Sequence, residues 1–121
     1  LLRTMEFYDE GRVVVVTLPL SLAERLSLTE ADMDDVSALG GVVEGTDCSI
    51  TMKETKDGAW KISVRTGHNT NACNIARRLG GGGHPRAAGC EISGNPDNAK
   101  HAILEEVKKE LDRADAEKAQ A

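Results

Sequence analysis

Four consecutive glycines, Gly80 to Gly83, are followed at once by His84, Pro85 and Arg86. Glycine has no side chain to pack, and it loses more backbone entropy on folding than any other residue. A run of four is therefore expected only where another group must approach the backbone closely. Glycine also adopts positive φ without strain, so successive N–H groups can turn toward one point and form a nest that binds an anion. The run therefore predicts a phosphate-binding loop.

The residues that follow the glycines add groups that favour the same anion. His84 can donate a hydrogen bond to an oxyanion, and Arg86 carries a fixed positive charge. Pro85 suits the first position of a helix, so we expect a short helix whose N-terminus points at the anion. Residues 87–89 are Ala, Ala and Gly. They keep the surroundings small enough for backbone or ligand to pack closely.

Other interpretations of the glycine run fit less well. A flexible linker mixes Gly with Ser and continues for longer, whereas this run ends at His84. The Walker loop needs Lys followed by Ser or Thr after its last glycine, where His84 and Pro85 stand. The dinucleotide-binding fingerprint needs a glycine where Arg86 stands, and it follows a strand, whereas a helical pattern precedes this run.

The composition indicates one domain. A chain of 121 residues that is 40% hydrophobic can bury one modest core. We expect it to be soluble and cytoplasmic, because no apolar run is long enough to span a bilayer and because its three cysteines are an odd number without disulfide spacing. The sequence opens on Leu1 rather than Met and already has a strand-like pattern there. We therefore expect a piece of a longer protein.

Positive charge is concentrated next to the glycines. The net charge is −5, but residues 53–86 carry seven Lys or Arg against two Asp or Glu. A local basic site on an acidic body suits a small or short anionic ligand better than long duplex nucleic acid, which favours a broad basic face.

Two stretches have the pattern of β-hairpins. Residues 3–8 and 12–18 form the first pair, and residues 48–54 and 60–65 form the second, each around a turn that contains glycine. The second strand of the first pair is continuously apolar in its middle, so we expect it to lie centrally in a sheet.

Side chains alternate in character along the last of these strands. Apolar residues at positions 60, 62 and 64 are separated by Lys61, Ser63 and Arg65. Since alternate residues of a strand face opposite sides, we expect Trp60 to pack in the core and Arg65 to lie on the polar face. Either solvation or ligand contact explains Arg65 there, because the glycine run follows after only one helix.

Helical spacing of apolar residues predicts about three helices. Thr29 begins one in an acidic stretch, where the acids suit the first turn of a helix better than a metal site. Thr70 or Asn71 begins a second, which Gly80 ends. Asn95 and the proline after it begin a third.

These elements together predict the architecture. We expect a single α/β domain, residues 1–113, with a mixed sheet of about five strands covered by helices. The two hairpins give four of these strands, and residues 90–93 give a last short one. After Arg113 the residues are Ala, Asp, Glu, Lys and Gln, so we expect residues 114–121 to form a polar tail that frays.

The stretch Gly81-Gly82-Gly83-His84-x-x-Ala87-Ala88-Gly89 resembles the signature of the DHH-associated C-terminal domain of DHH-family phosphoesterases. That family includes oligoribonucleases that also hydrolyse phosphoadenosine phosphate, single-strand exonucleases and cyclic dinucleotide phosphodiesterases. Residues 61–66 resemble the family's Ser-x-Arg-Ser strand, residues 71–79 its helix before the glycines, and Glu54 an acidic position before the hairpin turn. Alanyl-tRNA synthetases end in a related domain that lacks the His-x-x-Ala-Ala-Gly ending.

The resemblance implies a substrate-binding role. In that family the domain closes over a DHH catalytic domain, and the substrate lies between the two. Gly82, Gly83 and His84 would hold one phosphate, and Arg65, with Ser63 or Thr66 beside it, would bind a phosphate or nucleotide farther from the cut. Together with the residues that flank the loop, the expected binding residues are Gly81, Gly82, Gly83, His84, Arg65, Ser63, Thr66 and Arg86. The expected partners are a short RNA, a dinucleotide or phosphoadenosine phosphate.

The resemblance stops at the catalytic metals. Hydrolysis in the family uses two manganese ions held by Asp and His residues of a preceding domain, including an Asp-His-His triplet. This sequence has no such triplet, and its three histidines are scattered. Two-metal hydrolysis needs ligands that hold the ions about 3.5–4 Å apart. We therefore expect no catalytic residue and no cofactor in this chain, with manganese held by the catalytic domain.

Two alternatives to a phosphodiesterase domain remain. In the first, the chain is a stand-alone nucleotide-binding module, such as a regulator that responds to cyclic dinucleotides. In the second, it is a structural domain in which the glycine loop only packs tightly. A homodimer is compatible with each of these interpretations. An upstream segment with Asp-His-His in the natural reading frame would favour the phosphodiesterase.

Overall fold

A six-stranded mixed sheet forms the centre of the computed structural model, which describes residues 5–21, 46–67 and 69–120. The strands are β1 (Met5–Tyr8), β2 (Val13–Leu18), β3 (Cys48–Glu54), β4 (Ala59–Thr66), β5 (Gly82–Gly83) and β6 (Ala87–Ser93). The helices of the described ranges are α1 (Ala72–Arg77) and α2 (Pro96–Gln120). In space the strands follow the order β1-β2-β3-β4-β6-β5.

The pairing confirms the mixed α/β sheet and both predicted hairpins. β2 and β3 are parallel, whereas β1–β2, β3–β4, β4–β6 and β5–β6 are antiparallel. The predicted count of about five strands missed β5, because a strand of two glycines has no side chains that alternate. The helix predicted to begin at Thr29 lies outside the described residues.

The core lies on one face of the sheet. Trp60, Ile62 and Val64 are 3%, 0% and 0% exposed, which confirms the predicted buried face of β4. Both helices pack on this face. Their buried residues repeat at helical spacing and are Ala72, Ile75 and Ala76 of α1 with Ala99, Ile103, Val107 and Leu111 of α2. Trp60 is therefore a packing residue, as expected.

Helix α2 continues beyond Arg113 to Gln120, so the prediction that the chain frays there is wrong for the residues up to Gln120. Ala114 is buried against the domain. The guanidinium of Arg12 donates to Asp115 at 3.0 Å, which ties the end of α2 to the turn between β1 and β2. The polar composition gave no sign of this long-range ion pair.

Glu110 of α2 is the fully buried carboxylate that connects the two helices. It accepts a hydrogen bond from the backbone N–H of Asn71 at 2.8 Å and from the Asn74 amide at 3.3 Å. Arg113 donates to it at 2.6 Å. Because Asn71 is also the N-cap of α1, Glu110 fixes the start of the helix that leads into the glycines.

Replacing Glu110 by Gln should make the domain less stable and less sensitive to acid. Burial raises the pKa of Glu110, but hydrogen bonds from Arg113, Asn71 and Asn74 outweigh it and hold the pKa below its ordinary value. Such a group stabilises the fold above its unfolded pKa of about 4.3, and this stabilisation is lost as the pH falls through the folded pKa. At pH 7 we expect Glu110→Gln to lower the free energy of unfolding by about 1–3 kcal/mol.

Denaturant unfolding between pH 7 and pH 3 measures both effects. The wild type should lose more stability than Glu110→Gln as the pH falls below about 4.3. Asp112→Asn is the matched control, because Asp112 is exposed on the same helix. Parallel pH profiles for the wild type and Glu110→Gln would contradict the assigned role.

Candidate functional site

The glycine run enters a tight hairpin rather than a loop before a helix. His84 and Ala87 exchange two backbone hydrogen bonds of 2.9 and 3.2 Å, so Pro85 and Arg86 are the two residues of the turn between β5 and β6. The predicted helix that begins at Pro85 is therefore wrong. Pro85 supplies the fixed φ that a tight turn accepts equally well, and the strand pairing after it excludes a helix.

The N–H groups of the glycines do not converge into the predicted nest. Gly80 donates to the carbonyl of Arg77 at 3.1 Å, and Gly81 donates to that of Ala76 at 2.9 Å, so both bonds end helix α1. Bonded and non-bonded pairs alternate along an antiparallel ladder. His84 and Ala87 form a bonded pair, so Gly83 and Ala88 beside them form a non-bonded pair. The N–H of Gly83 therefore points away from β6, toward the open edge of the sheet.

Gly81 and Gly83 are required by close contact with β6. A Cβ on Gly81 would lie 2.1 Å from the Gly89 carbonyl oxygen, and a Cβ on Gly83 would lie 2.6 Å from the Ala88 Cα. Gly83 also has a φ of +149°. A Cβ on Gly82, by contrast, would meet nothing within 4 Å. Packing within the described residues therefore explains two of these glycines and leaves Gly82 free for an approaching ligand.

Alanine substitutions should separate these roles. Gly81→Ala should lower the free energy of unfolding by about 1–3 kcal/mol or more, because overpacking must displace the backbone of β6. Gly82→Ala, the matched control in the same strand segment, should change stability by less than about 1 kcal/mol. Denaturant unfolding of both variants measures the difference, and equal losses would show that the contact at Gly81 is not what requires glycine.

The register of β4, β6 and β5 places the predicted polar residues in two rows on one face of the sheet. Residues directly paired across strands project to the same face. The rows are Arg65, Ala87 and His84, and then Ser63, Gly89 and Gly82. Because neighbouring strands are about 4.8 Å apart, the Arg65 and His84 backbones lie about 10 Å apart, with a floor of Gly and Ala between them.

A groove of about 270 Å³ lies along these rows. Its lining includes Ser63 and Arg65 of β4, Gly82 and Gly83 of β5, and Ala87 of β6. His84 is exposed at the edge beyond Ala87. The structure thus brings five of the eight predicted binding residues together. Ser63, Arg65, Gly82 and Gly83 line the groove, and His84 lies at its edge.

Thr66 and Arg86 point elsewhere and hold the turn in place. Thr66 is buried, and its hydroxyl lies 3.0 Å from the carbonyl oxygens of Thr70 and Pro85, to which it can donate. Arg86 Nη1 donates to the carbonyls of Gly67 and Thr70. The remaining predicted residue, Gly81, packs against β6 as described above. These three residues therefore support the site from outside the groove.

Arg65 is a cation of the groove lining that is available to a ligand. At the end of α1, by contrast, Arg78 lies 3.9 Å from both Glu106 and Glu110, and Arg77 donates to the Cys73 sulfur at 3.3 Å. Arg65 has no ion pair with any residue in the described ranges, and its Nε has no hydrogen-bond partner there. The two terminal nitrogens of such a guanidinium can donate parallel hydrogen bonds to an anion.

Metal ligands are not grouped in this part of the chain. Across residues 5–21, 46–67 and 69–120, no three His, Cys, Asp or Glu side chains lie together as a metal would require. Within the same ranges, no helix has the length and apolar character needed to cross a bilayer.

The glycine hairpin, the Arg65 strand and the helix between them match a known domain. Residues 23–113 align with the DHHA1 domain. The chain belongs to the DHHA1 domain family. This match confirms the resemblance to the DHH-associated domain.

The chain is 38% identical over 114 residues to the bifunctional oligoribonuclease and PAP phosphatase NrnA of Thermus thermophilus. This match covers 93% of the chain and 33% of the relative. The chain therefore spans about one third of the length of that relative.

Two solved structures share the fold. An exopolyphosphatase-related protein of Bacteroides fragilis superimposes with a TM-score of 0.82 at 19% identity, over 94% of this chain and 34% of that protein. The pGpG-specific phosphodiesterase PggH of Vibrio cholerae superimposes with a TM-score of 0.60 at 16% identity, over 90% of this chain and 36% of that one. In both cases the DHHA1 domain corresponds to about one third of a longer chain.

The sequence did not predict the residues that support the site from outside the groove. Glu110 is one of many acids on α2, and only the packing of α2 against α1 shows that it accepts from Asn71. The hairpin turn at Pro85 and Arg86 was also missed. Two-residue hairpin turns are usually marked by Asn-Gly or Asp-Gly, so Pro-Arg carries no such signal.

Proposed function

We propose that this DHHA1 domain binds the phosphate groups of a short oligoribonucleotide or of phosphoadenosine phosphate for a DHH-family phosphodiesterase. The observation that carries the proposal is the open floor of Gly and Ala between His84 and Arg65, whose guanidinium has no ion pair with any described residue. The name of the Thermus thermophilus relative, an oligoribonuclease and PAP phosphatase, supports this choice of ligand. The cytoplasm is the compartment that such a ligand and reduced thiols favour.

Two anionic groups fit the rows at once. One lies at the sheet edge, where the N–H of Gly83 and the His84 side chain donate to it. The other lies beside Arg65, whose guanidinium donates two parallel bonds to a phosphate. Ser63 is on the same face and offers a hydroxyl to the second group. The separation of about 10 Å between the two strands that supply these groups suits the ends of a dinucleotide better than a single phosphate.

The domain supplies binding and orientation, and the reacting groups belong to a DHH catalytic domain. We propose that this partner domain is part of the same protein and holds the manganese ions. When bound there, the two ions would activate water and stabilise the leaving oxygen. Holding the far end of a substrate lowers the entropy cost of placing its scissile phosphate at those ions.

Removing either anion contact should weaken ligand binding. A hydrogen bond to a charged phosphate is worth about 1.5–3 kcal/mol, so Arg65→Ala and His84→Ala should each weaken binding about ten- to a hundredfold. Calorimetric titration of the purified chain with a 5′-phosphorylated dinucleotide and with phosphoadenosine phosphate measures this loss.

Two matched variants control for net charge and for loss of an imidazole. Lys108→Ala and His101→Ala change exposed residues of α2, which packs on the opposite face of the sheet. Both should bind the dinucleotide as the wild type does. Equal weakening in these controls would show that general electrostatics, and not the two rows, attracts the ligand.

The chain by itself should not hydrolyse what it binds. Incubation of residues 1–121 with a 5′-phosphorylated dinucleotide and manganese should give no mononucleotide above the rate without protein, because no ligand set in the described ranges can hold two metals. Chromatography of the products measures this. If the purified chain hydrolysed the dinucleotide and a chelator abolished this activity, the proposal that a separate domain carries the catalytic metals would be wrong.

A further inference from the structure

Ser49 of β3 is the cross-strand neighbour of Arg65 on the face that carries the groove. The two residues are directly paired in the β3–β4 ladder, so their side chains project to the same side. Ser49 is 4% exposed, so its hydroxyl lies away from bulk water. The row that begins with Ser49 continues through Arg65 and Ala87 to His84.

Both members of this pair carry a buried polar atom without a partner. The hydroxyl oxygen of Ser49 and the Nε of Arg65 are fully buried, and neither has a hydrogen bond to any described residue. A buried donor or acceptor left unpaired is costly, and such groups are few in folded proteins. Here a donor and an acceptor without partners stand on adjacent strands at the same register.

We infer that Ser49 is a positioning residue for Arg65, whose hydroxyl accepts the Nε–H of the guanidinium. Side chains on directly paired residues start from Cβ atoms about 4.5–5.5 Å apart, so rotation about the side-chain torsions can close this bond. The guanidinium is planar and has five N–H donors. When Ser49 takes the Nε–H, the two terminal nitrogens remain together for an anion in the groove.

This inference rests on the proposed function, because it names the group that aims Arg65 at the ligand. It adds a residue outside the signature, since Ser49 is on β3 and lies outside both the glycine run and residues 61–66. A hydroxyl that acts through Arg65 has no effect of its own once Arg65 is removed. The coupling between the two residues therefore distinguishes positioning from a general effect on the fold.

A double-mutant cycle on ligand binding tests the coupling. Using calorimetric titration with a 5′-phosphorylated dinucleotide, we expect Ser49→Ala to weaken binding about three- to thirtyfold in the wild-type chain and to change nothing in an Arg65→Ala chain. Ser49→Thr keeps the hydroxyl and should retain most of the affinity. Equal loss in both backgrounds, or no loss in either, would overturn the inference.

Thr17→Val is the matched control. The Thr17 hydroxyl is also buried without a partner, but it pairs with Met52 and lies on the core face of the sheet. Removing it tests whether loss of any buried hydroxyl changes affinity. Thr17→Val should leave the affinity for the dinucleotide unchanged, and a loss equal to that of Ser49→Ala would refute a specific role for Ser49.

Nuclear magnetic resonance detects the hydrogen bond between Arg65 and Ser49 without a ligand. The ¹H–¹⁵N signal of Arg65 Nε–H should be protected from exchange in the wild type and in Ser49→Thr, and it should be lost in Ser49→Ala. If the wild type binds no dinucleotide, the proposed function fails and this signal alone decides the inference. A signal that is unchanged in Ser49→Ala would show that Ser49 is not the acceptor.

Discussion

The closeness of the glycine segment to β6 is the constraint on which the site depends. Gly81 and Gly83 leave no room for a Cβ beside the backbone of β6, and this contact sets the register of the last two strands. The register in turn places His84 level with Arg65. A shift of one residue would move either side chain to the core face, because strand residues alternate between faces.

Hydrogen bonds on the side of the sheet away from the groove fix the position of this hairpin. The carbonyl of Pro85 accepts the N–H of Ala72, the first residue of α1, at 2.8 Å. Thr66 and Arg86 tie the same turn to the end of β4 and to the loop before α1. Glu110 then fixes the start of α1 against α2. The position of the hairpin is thus determined by residues that never face the groove.

Local patterns predicted the parts of the fold that repeat, and packing decided the rest. The alternation around Arg65 gave the correct face of β4, and Asn71, one of the two caps predicted, is the N-cap of α1. The glycines have no side chains to form a pattern, so their pairing as β5 was not predictable. Pro85 is compatible with either a helix start or a turn, and only the neighbouring strand decides between them. Glu110 acts through contacts far along the chain, which periodicity within one helix cannot show.

β5 ends the sheet with only two residues, both glycine. A sheet edge that exposes its backbone can add a strand from another molecule, and proteins usually limit this with charge, proline or a covering segment. Here the edge must stay uncovered if the N–H of Gly83 is to reach a ligand. Its length offers an intruding strand too few bonds for stable addition, so the domain can present bare backbone to a nucleotide without seeding its own aggregation.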